Sequence, residues 1–159
     1  QHFFQDLPAL GLLLEDRLIG VALIAPPQRR LGITESWAWR LRMLLSTGLG
    51  CTQRYLAYHQ AVQACIPGDA VHMLPLLGLH PQFQGREYGE QLLTAVHNWC
   101  AEDSHSAGVV LDTGNVNYLD FFQAQGYTEI GEVAIGPVLE HVFFHPSPAA
   151  PVLPEPALA

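Results

Sequence analysis

One stretch, residues 70–100, constrains the fold more than any other part of the chain. Residues 70–79 are rich in Val, Leu and Met and follow the turn-forming run Ile66-Pro67-Gly68-Asp69, so they read as a strand. Residues 84–89 are a polar, glycine-bearing loop. From Tyr88 onward Leu92, Leu93, Val96, Trp99 and Cys100 fall on one helical face. The order is therefore strand, glycine loop, helix. Such a loop gathers unpaired backbone N–H groups and the positive end of a helix dipole, which makes it a natural anion site. Taken alone, Gly85 and Gly89 signify no more than a turn.

The flanking sequence extends this unit into a mixed α/β domain. Residues 10–25 pattern as a β-hairpin with a polar turn at Glu15-Asp16-Arg17, stopped by Pro26-Pro27. Residues 37–45 and 52–65 have helical spacing, interrupted at Gly48 and Gly50, and form a helical insertion over 37–65. Residues 108–112 read as a short buried strand and 115–125 as a helix ended by Gly126. Two further strands, 127–135 and 138–144, flank Gly136-Pro137. Residues 1–145 are thus expected to form one domain and 146–159, rich in proline, an extended tail. Of the 159 residues 49% are hydrophobic and 14% charged, enough apolar material to close a core.

Charge narrows the partners. All seven cationic residues are arginines against fifteen carboxylates, for a net charge of −8. Phosphate backbones and anionic membrane surfaces need clustered Lys and Arg, so neither nucleic acid nor membrane is an expected partner. An amine-bearing partner suits the balance better. No apolar run is long enough to span a bilayer. The three cysteines, Cys51, Cys65 and Cys100, are widely spaced with no CxxC pair, which suggests neither a disulfide framework nor a metal site. A cytoplasmic protein with reduced thiols is the expectation. No HExxH pair and no nucleophile elbow occurs, so hydrolase and metalloenzyme readings fall away.

The wording around the loop carries more. Leu77-Gly78-Leu79-His80-Pro81-Gln82-Phe83-Gln84-Gly85-Arg86-Glu87-Tyr88-Gly89, followed by the amphipathic helix, resembles the coenzyme A-binding motif of the GNAT superfamily of N-acetyltransferases, Val/Leu-x-Pro-x-x-Gln/Arg-Gly-x-Gly-x-Gly/Ala. A second segment agrees. Leu111-Asp112-Thr113-Gly114-Asn115, then Phe121-Phe122-Gln123-Ala124-Gln125-Gly126-Tyr127, is similar to the family's Leu-x-Thr-x-x-Asn … Phe-Tyr-x-x-x-Gly-Phe. The inserted helices are similar to the puromycin N-acetyltransferase branch.

The resemblance implies a fold and a reaction. The fold is a central mixed β-sheet with a splayed strand pair, flanked by helices, with the family's N-terminal strand and helices largely absent. Acetyl-CoA would be the acyl donor, held by Leu77, Gly78 and Leu79 along the pantetheine arm, by Gln84, Gly85, Arg86, Glu87, Tyr88 and Gly89 at the pyrophosphate, and by Asn115, Phe121 and Phe122. The acceptor would be a primary amine of a small molecule, attacking directly in a ternary complex. With the N-terminal elements absent, either the acceptor wall is supplied by the inserted helices, by the tail or by a second copy of the chain in a homodimer, or the sequence is a fragment of a longer protein. The rival reading is a non-catalytic acyl-CoA-binding or regulatory domain.

Two departures bear on the chemistry. Glu87 stands where the family carries glycine, and a carboxylate about 6 Å from a phosphate would cost on the order of 2–3 kcal/mol at an effective dielectric near 20. Phe122 stands where the family commonly carries a proton-donating tyrosine. Tyr118, four residues earlier on the same helical face, is the expected substitute. His72, at the start of the motif strand, is the expected base, with His59, Tyr55 and Tyr58 overhanging the acceptor side. Asp112 and Asp120 read as strand-end and helix-surface carboxylates.

Overall fold

The computed structural model describes residues 7–27, 45, 48–66, 68 and 70–148. The N-terminal half of the expected insertion and the proline-rich tail beyond Pro148 lie outside the described residues.

Strands β1 (Ala9–Leu14) and β2 (Arg17–Ala25) form the expected hairpin. Glu15 and Asp16 take the positive φ values, 48° and 61°, that a two-residue hairpin turn requires. Helix α1 (Leu49–Cys65) follows, opening after Gly48 at φ 83°, so Gly48 starts this helix and Gly50 lies within it. Then come β3 (His72–Leu79), α2 (Arg86–Ala101), β4 (Gly108–Thr113), α3 (Leu119–Ala124), β5 (Thr128–Ile135) and β6 (Val138–Pro146). The six strands make one mixed sheet in the order β1-β2-β3-β4-β6-β5. Among the described residues only β3 and β4 pair in parallel.

Side-chain alternation assigns the two faces. Leu92, Leu93, Val96 and Cys100 of α2 and Phe122 of α3 pack with Ala22, Ile24, Leu74, Val109, Leu111 and Phe143 on one face. Val62 of α1 packs with Val71, Val110, Val133 and Val142 on the other. Burying each Leu or Phe contributes about 1.5–3 kcal/mol. The predicted helical face is the one that is buried.

The feature that positions the site lies in β3. Leu23 and Ala25 of β2 oppose Leu76 and Met73 of β3, so three residue steps on β3 face two on β2. This is a β-bulge, and it contains Pro75, which has no N–H for a ladder. The extra residue explains why Leu74 and Leu77, an odd number apart, both meet the α2 side of the core. A bulged strand bends. Accordingly β3 pairs with β4 only at His72↔Val109 and Met73↔Val110, while β3 runs on to Leu79 and β4 to Thr113 without further pairing. The two central strands splay apart towards their C-terminal ends.

Three histidines sit neutral in this framework. His97 Nε2 lies 2.9 Å from the Tyr127 hydroxyl and its ring stacks on His145 at 3.9 Å between centroids. Burial, and then proximity to His145, pushes the His97 imidazole down to about 4; burial also lowers His72 and His145. The unfolded chain binds these protons near pH 6.5, whereas the folded chain resists them down to the lowered values. Stability is therefore full above about pH 6.5 and lost as the pH falls towards 4. Melting temperature is expected to decline across that window, less steeply in His97→Gln. A profile flat from pH 7 to 4.5 would contradict this.

Candidate active site

The splay brings three segments to one mouth, because β3 and β4 are parallel and both chains leave it at their C-terminal ends. The first is the end of β3, where Leu77, Gly78 and Leu79 are half-buried and a side chain added at Gly78 would meet nothing within 4 Å. The backbone there borders open space.

The second segment is the loop into α2. A 3-10 turn, Pro81–Phe83, is capped by His80, whose side chain accepts from the Gln82 N–H. The Phe83 ring is flanked by His80, by Tyr88 and by the Arg17 guanidinium at 5.6 Å, which pins the loop. Gly85 is the extended N-cap and no side chain caps the helix, so the amides of Arg86, Glu87 and Tyr88 point out of the first turn. Space beside Gly85 is open, whereas a Cβ on Gly89 would come within 3.0 Å of the Phe121 ring. Gly85 thus exposes backbone, and Gly89 lets α2 lie against α3.

Glu87 is exposed in that first turn. The helix dipole favours a carboxylate there, and solvent screens it from a bound anion. If acetyl-CoA is the ligand of this loop, Glu87→Gln is expected to tighten its binding about tenfold, as read by isothermal titration. Unchanged or weaker binding would show that the carboxylate does not face the phosphates.

The third segment follows β4. Asn115 is exposed, its side-chain carbonyl accepts from the Asn117 N–H at 3.1 Å, and its own N–H donates to Thr113 Oγ1. The side-chain amide N–H groups are left for a ligand. Tyr118 ends the 3-10 turn Val116–Tyr118 and is 45% exposed. Phe121 is partly buried against Gly89. Phe122 is 7% exposed, with Tyr127 and Phe143 rings around it. It supports α3 from the core and offers little surface to a cofactor.

His72 is not at this mouth. It is 1% exposed at the paired end of β3, seven residues before Leu79 and so roughly 23 Å from it along the strand. Its Nδ1 is 2.7 Å from Ser106 Oγ, and Trp99 packs edge-on. The expected base is a core histidine, its ring covered by Trp99 of α2 and by Ser106.

On the α1 face the structure assembles a group that the sequence reading had divided. Tyr58 of α1 donates a hydrogen bond to Asp112 Oδ2. Asp112 follows Leu111 on β4 and so faces the opposite side from α2. Glu140 lies on the neighbouring β6, its carboxylate over Gly114. Burial and then Asp112 raise the Tyr58 phenol well above its ordinary range, and the same two causes raise Tyr55. Glu140 is raised by burial first and by Asp112 second, against His141. Asp112, set aside as a strand-end carboxylate, is thus the centre of this group. Elsewhere, Glu129, Glu132 and His141 bring donor atoms within 4.8 Å of one another, and the 2.7 Å contact from His141 to Glu129 satisfies that imidazole nitrogen without an ion.

No family model matches the sequence, and no curated protein does. Solved structures do. A polyamine N-acetyltransferase of Drosophila melanogaster, an enzyme that catalyses the formation of N-acetylagmatine, is similar with a TM-score of 0.64 and 20% identity over 87% of this chain and 74% of that one. The apo form of an agmatine N-acetyltransferase gives 0.61 and 20% over 86% and 75%. The fold is that of the GNAT acetyltransferases. A mosquito arylalkylamine N-acetyltransferase is similar at 0.56 and 13% over 80% and 69%. The likeness supports the GNAT fold as a whole and does not single out the puromycin branch expected from the inserted helices. Within the GNAT frame, the bulged β3 and the splayed β3–β4 pair are the elements that the two sequence motifs flank.

Proposed function

We propose that the chain is an acetyl-CoA-dependent N-acetyltransferase that moves an acetyl group to a primary amine of a small molecule. One observation carries this: β3 and β4 stop pairing after two residues, and their gap opens beside the uncapped start of α2. Leu77, Gly78 and Leu79 would pair with the pantetheine arm, the amides of residues 85–89 would hold the pyrophosphate, and Asn115 would donate to the arm. With net charge −8, this binding rests on local backbone dipoles rather than on the global field.

When bound, acetyl-CoA would supply the acetyl thioester, and the residues of the α1 face (Tyr58, Asp112, Glu140) would be the ones available to the acceptor amine. The amine nitrogen attacks the carbonyl carbon, the carbon–sulfur bond breaks, and the nitrogen's proton passes to a carboxylate of that face. Tyr118 would protonate the departing thiolate. The neighbours that act on polyamine, agmatine and arylalkylamine favour a small amine acceptor.

Isothermal titration with acetyl-CoA, followed by thiol release over an amine panel, tests the reading. Absence of binding at millimolar acetyl-CoA overturns it. Binding without thiol release favours the non-catalytic domain, for which the exposed Glu87 and the buried Phe122 are the supporting features.

A further inference from the structure

We propose that Arg17, at the start of β2, supplies a side-chain cation to the phosphate end of acetyl-CoA. The inference rests on the reading of the loop before α2 as the cofactor's phosphate site.

Register puts Arg17 beside that loop. Gly20 of β2 opposes Leu79 at the end of β3, and the His80 N–H donates to the Ile19 carbonyl at 2.7 Å. The start of β2 therefore runs alongside the chain that leaves β3. Arg17, two residues before Ile19, reaches the 3-10 turn Pro81–Phe83. Its guanidinium carbon lies 5.6 Å from the centre of the Phe83 ring, and Phe83 meets Tyr88 of the first α2 turn edge-on at 6.2 Å. Gly85, with open space beside it, falls between those two aromatic residues in the chain. One ring thus ties the guanidinium to the turn that no side chain caps.

The contact leaves the cation usable. A ring face attracts the guanidinium as a whole, so its planar fork of N–H donors stays available to phosphate oxygens. An arginine held on a ring also gives up less side-chain freedom on binding than a free one. The structure describes the side chains of two arginines, and the other, Arg54, belongs to α1, which packs on the opposite face of the sheet from α2. Glu15 and Asp16 in the hairpin turn and Glu87 in α2 are exposed carboxylates of the same neighbourhood. A ligand carrying phosphates meets an anionic surface there unless a cation is fixed beside it, and Arg17 is the fixed one.

Equilibrium binding tests this without turnover. Coenzyme A and dephospho-coenzyme A are titrated calorimetrically into the 159-residue chain as wild type, Arg17→Lys, Arg17→Gln and Arg17→Glu, at low and high salt, with thermal melts to confirm folding. Arg17→Gln is expected to bind coenzyme A about tenfold more weakly. Arg17→Lys should recover part of the loss, because it restores the charge without the fork, and Arg17→Glu should lose more than Arg17→Gln. High salt should compress the whole series. A loss seen with coenzyme A alone assigns Arg17 to the 3′-phosphate, and a loss shared with dephospho-coenzyme A assigns it to the pyrophosphate. Unchanged affinity in folded Arg17→Gln, or one equal loss in all three variants that salt does not alter, would overturn the proposal; the second result would make Arg17 only a brace for Phe83. The two readings fail separately. Wild-type chain that binds no coenzyme A removes both, and unchanged affinity in Arg17→Gln alongside thiol release removes Arg17 and leaves the enzyme. A charge-graded loss without any thiol release removes the enzyme and leaves Arg17.

Discussion

The Tyr118→Phe variant is expected to turn over amine about 10²–10⁴-fold more slowly, the usual worth of a positioned acid, while binding acetyl-CoA as tightly as the parent. Tyr118 leaves the 3-10 turn at the mouth between β3 and β4 and is 45% exposed, so loss of its hydroxyl costs little stability. Phe122, four residues on, is buried under Tyr127 and Phe143 and has no proton to give. If Tyr118 is the acid, kcat falls while the affinity for acetyl-CoA holds. An unchanged kcat would assign the proton to water and Tyr118 to the surface.

Phe143→Ala is expected to destabilise the fold by about 3–5 kcal/mol, the range for truncating a buried aromatic ring. For a domain of this size that lowers the melting temperature by roughly 10 °C. Phe143 is wholly buried on β6 between Leu111 of β4 and Glu129 of β5, and its ring lies 5.9 Å from Phe122. The cavity would open beneath α3, the helix that Tyr118 precedes. The effect should therefore extend to the site, with weakened acetyl-CoA binding below the melting point. Phe143→Leu, which refills most of the space, should lose less than about 1.5 kcal/mol. A loss below about 1 kcal/mol for the alanine variant, by chemical denaturation, would show that the core closes over the gap.

Legibility in the sequence followed the range of the interactions involved. The α2 stripe of Leu92, Leu93, Val96 and Cys100 was readable because a helix repeats its buried face every three to four residues. The hairpin turn at Glu15 and Asp16 was readable because a polar pair separates two apolar arms. His72 was misread because a histidine in a strand gives no sign of whether its end of the strand is paired or open. That depended on Val109, which lies in a different strand. Asp112 was undervalued for the same reason, since its partner Tyr58 is 54 residues away. Alternation along β4 could have shown that Asp112 faces away from Leu111, but not that a tyrosine of α1 meets it there.

By itself, the sequence determined the order of elements, the buried face of α2 and the strand–loop–helix unit whose amides face outward, all of which are consequences of local backbone geometry. Only the tertiary structure decided that β3 bulges at Pro75 and parts from β4, that Phe122 is core, and that Asp112 and Glu140 share a face. Those outcomes depend on register between strands distant in the chain. A shift of one residue there would turn Asp112 and Glu140 to opposite sides of the sheet.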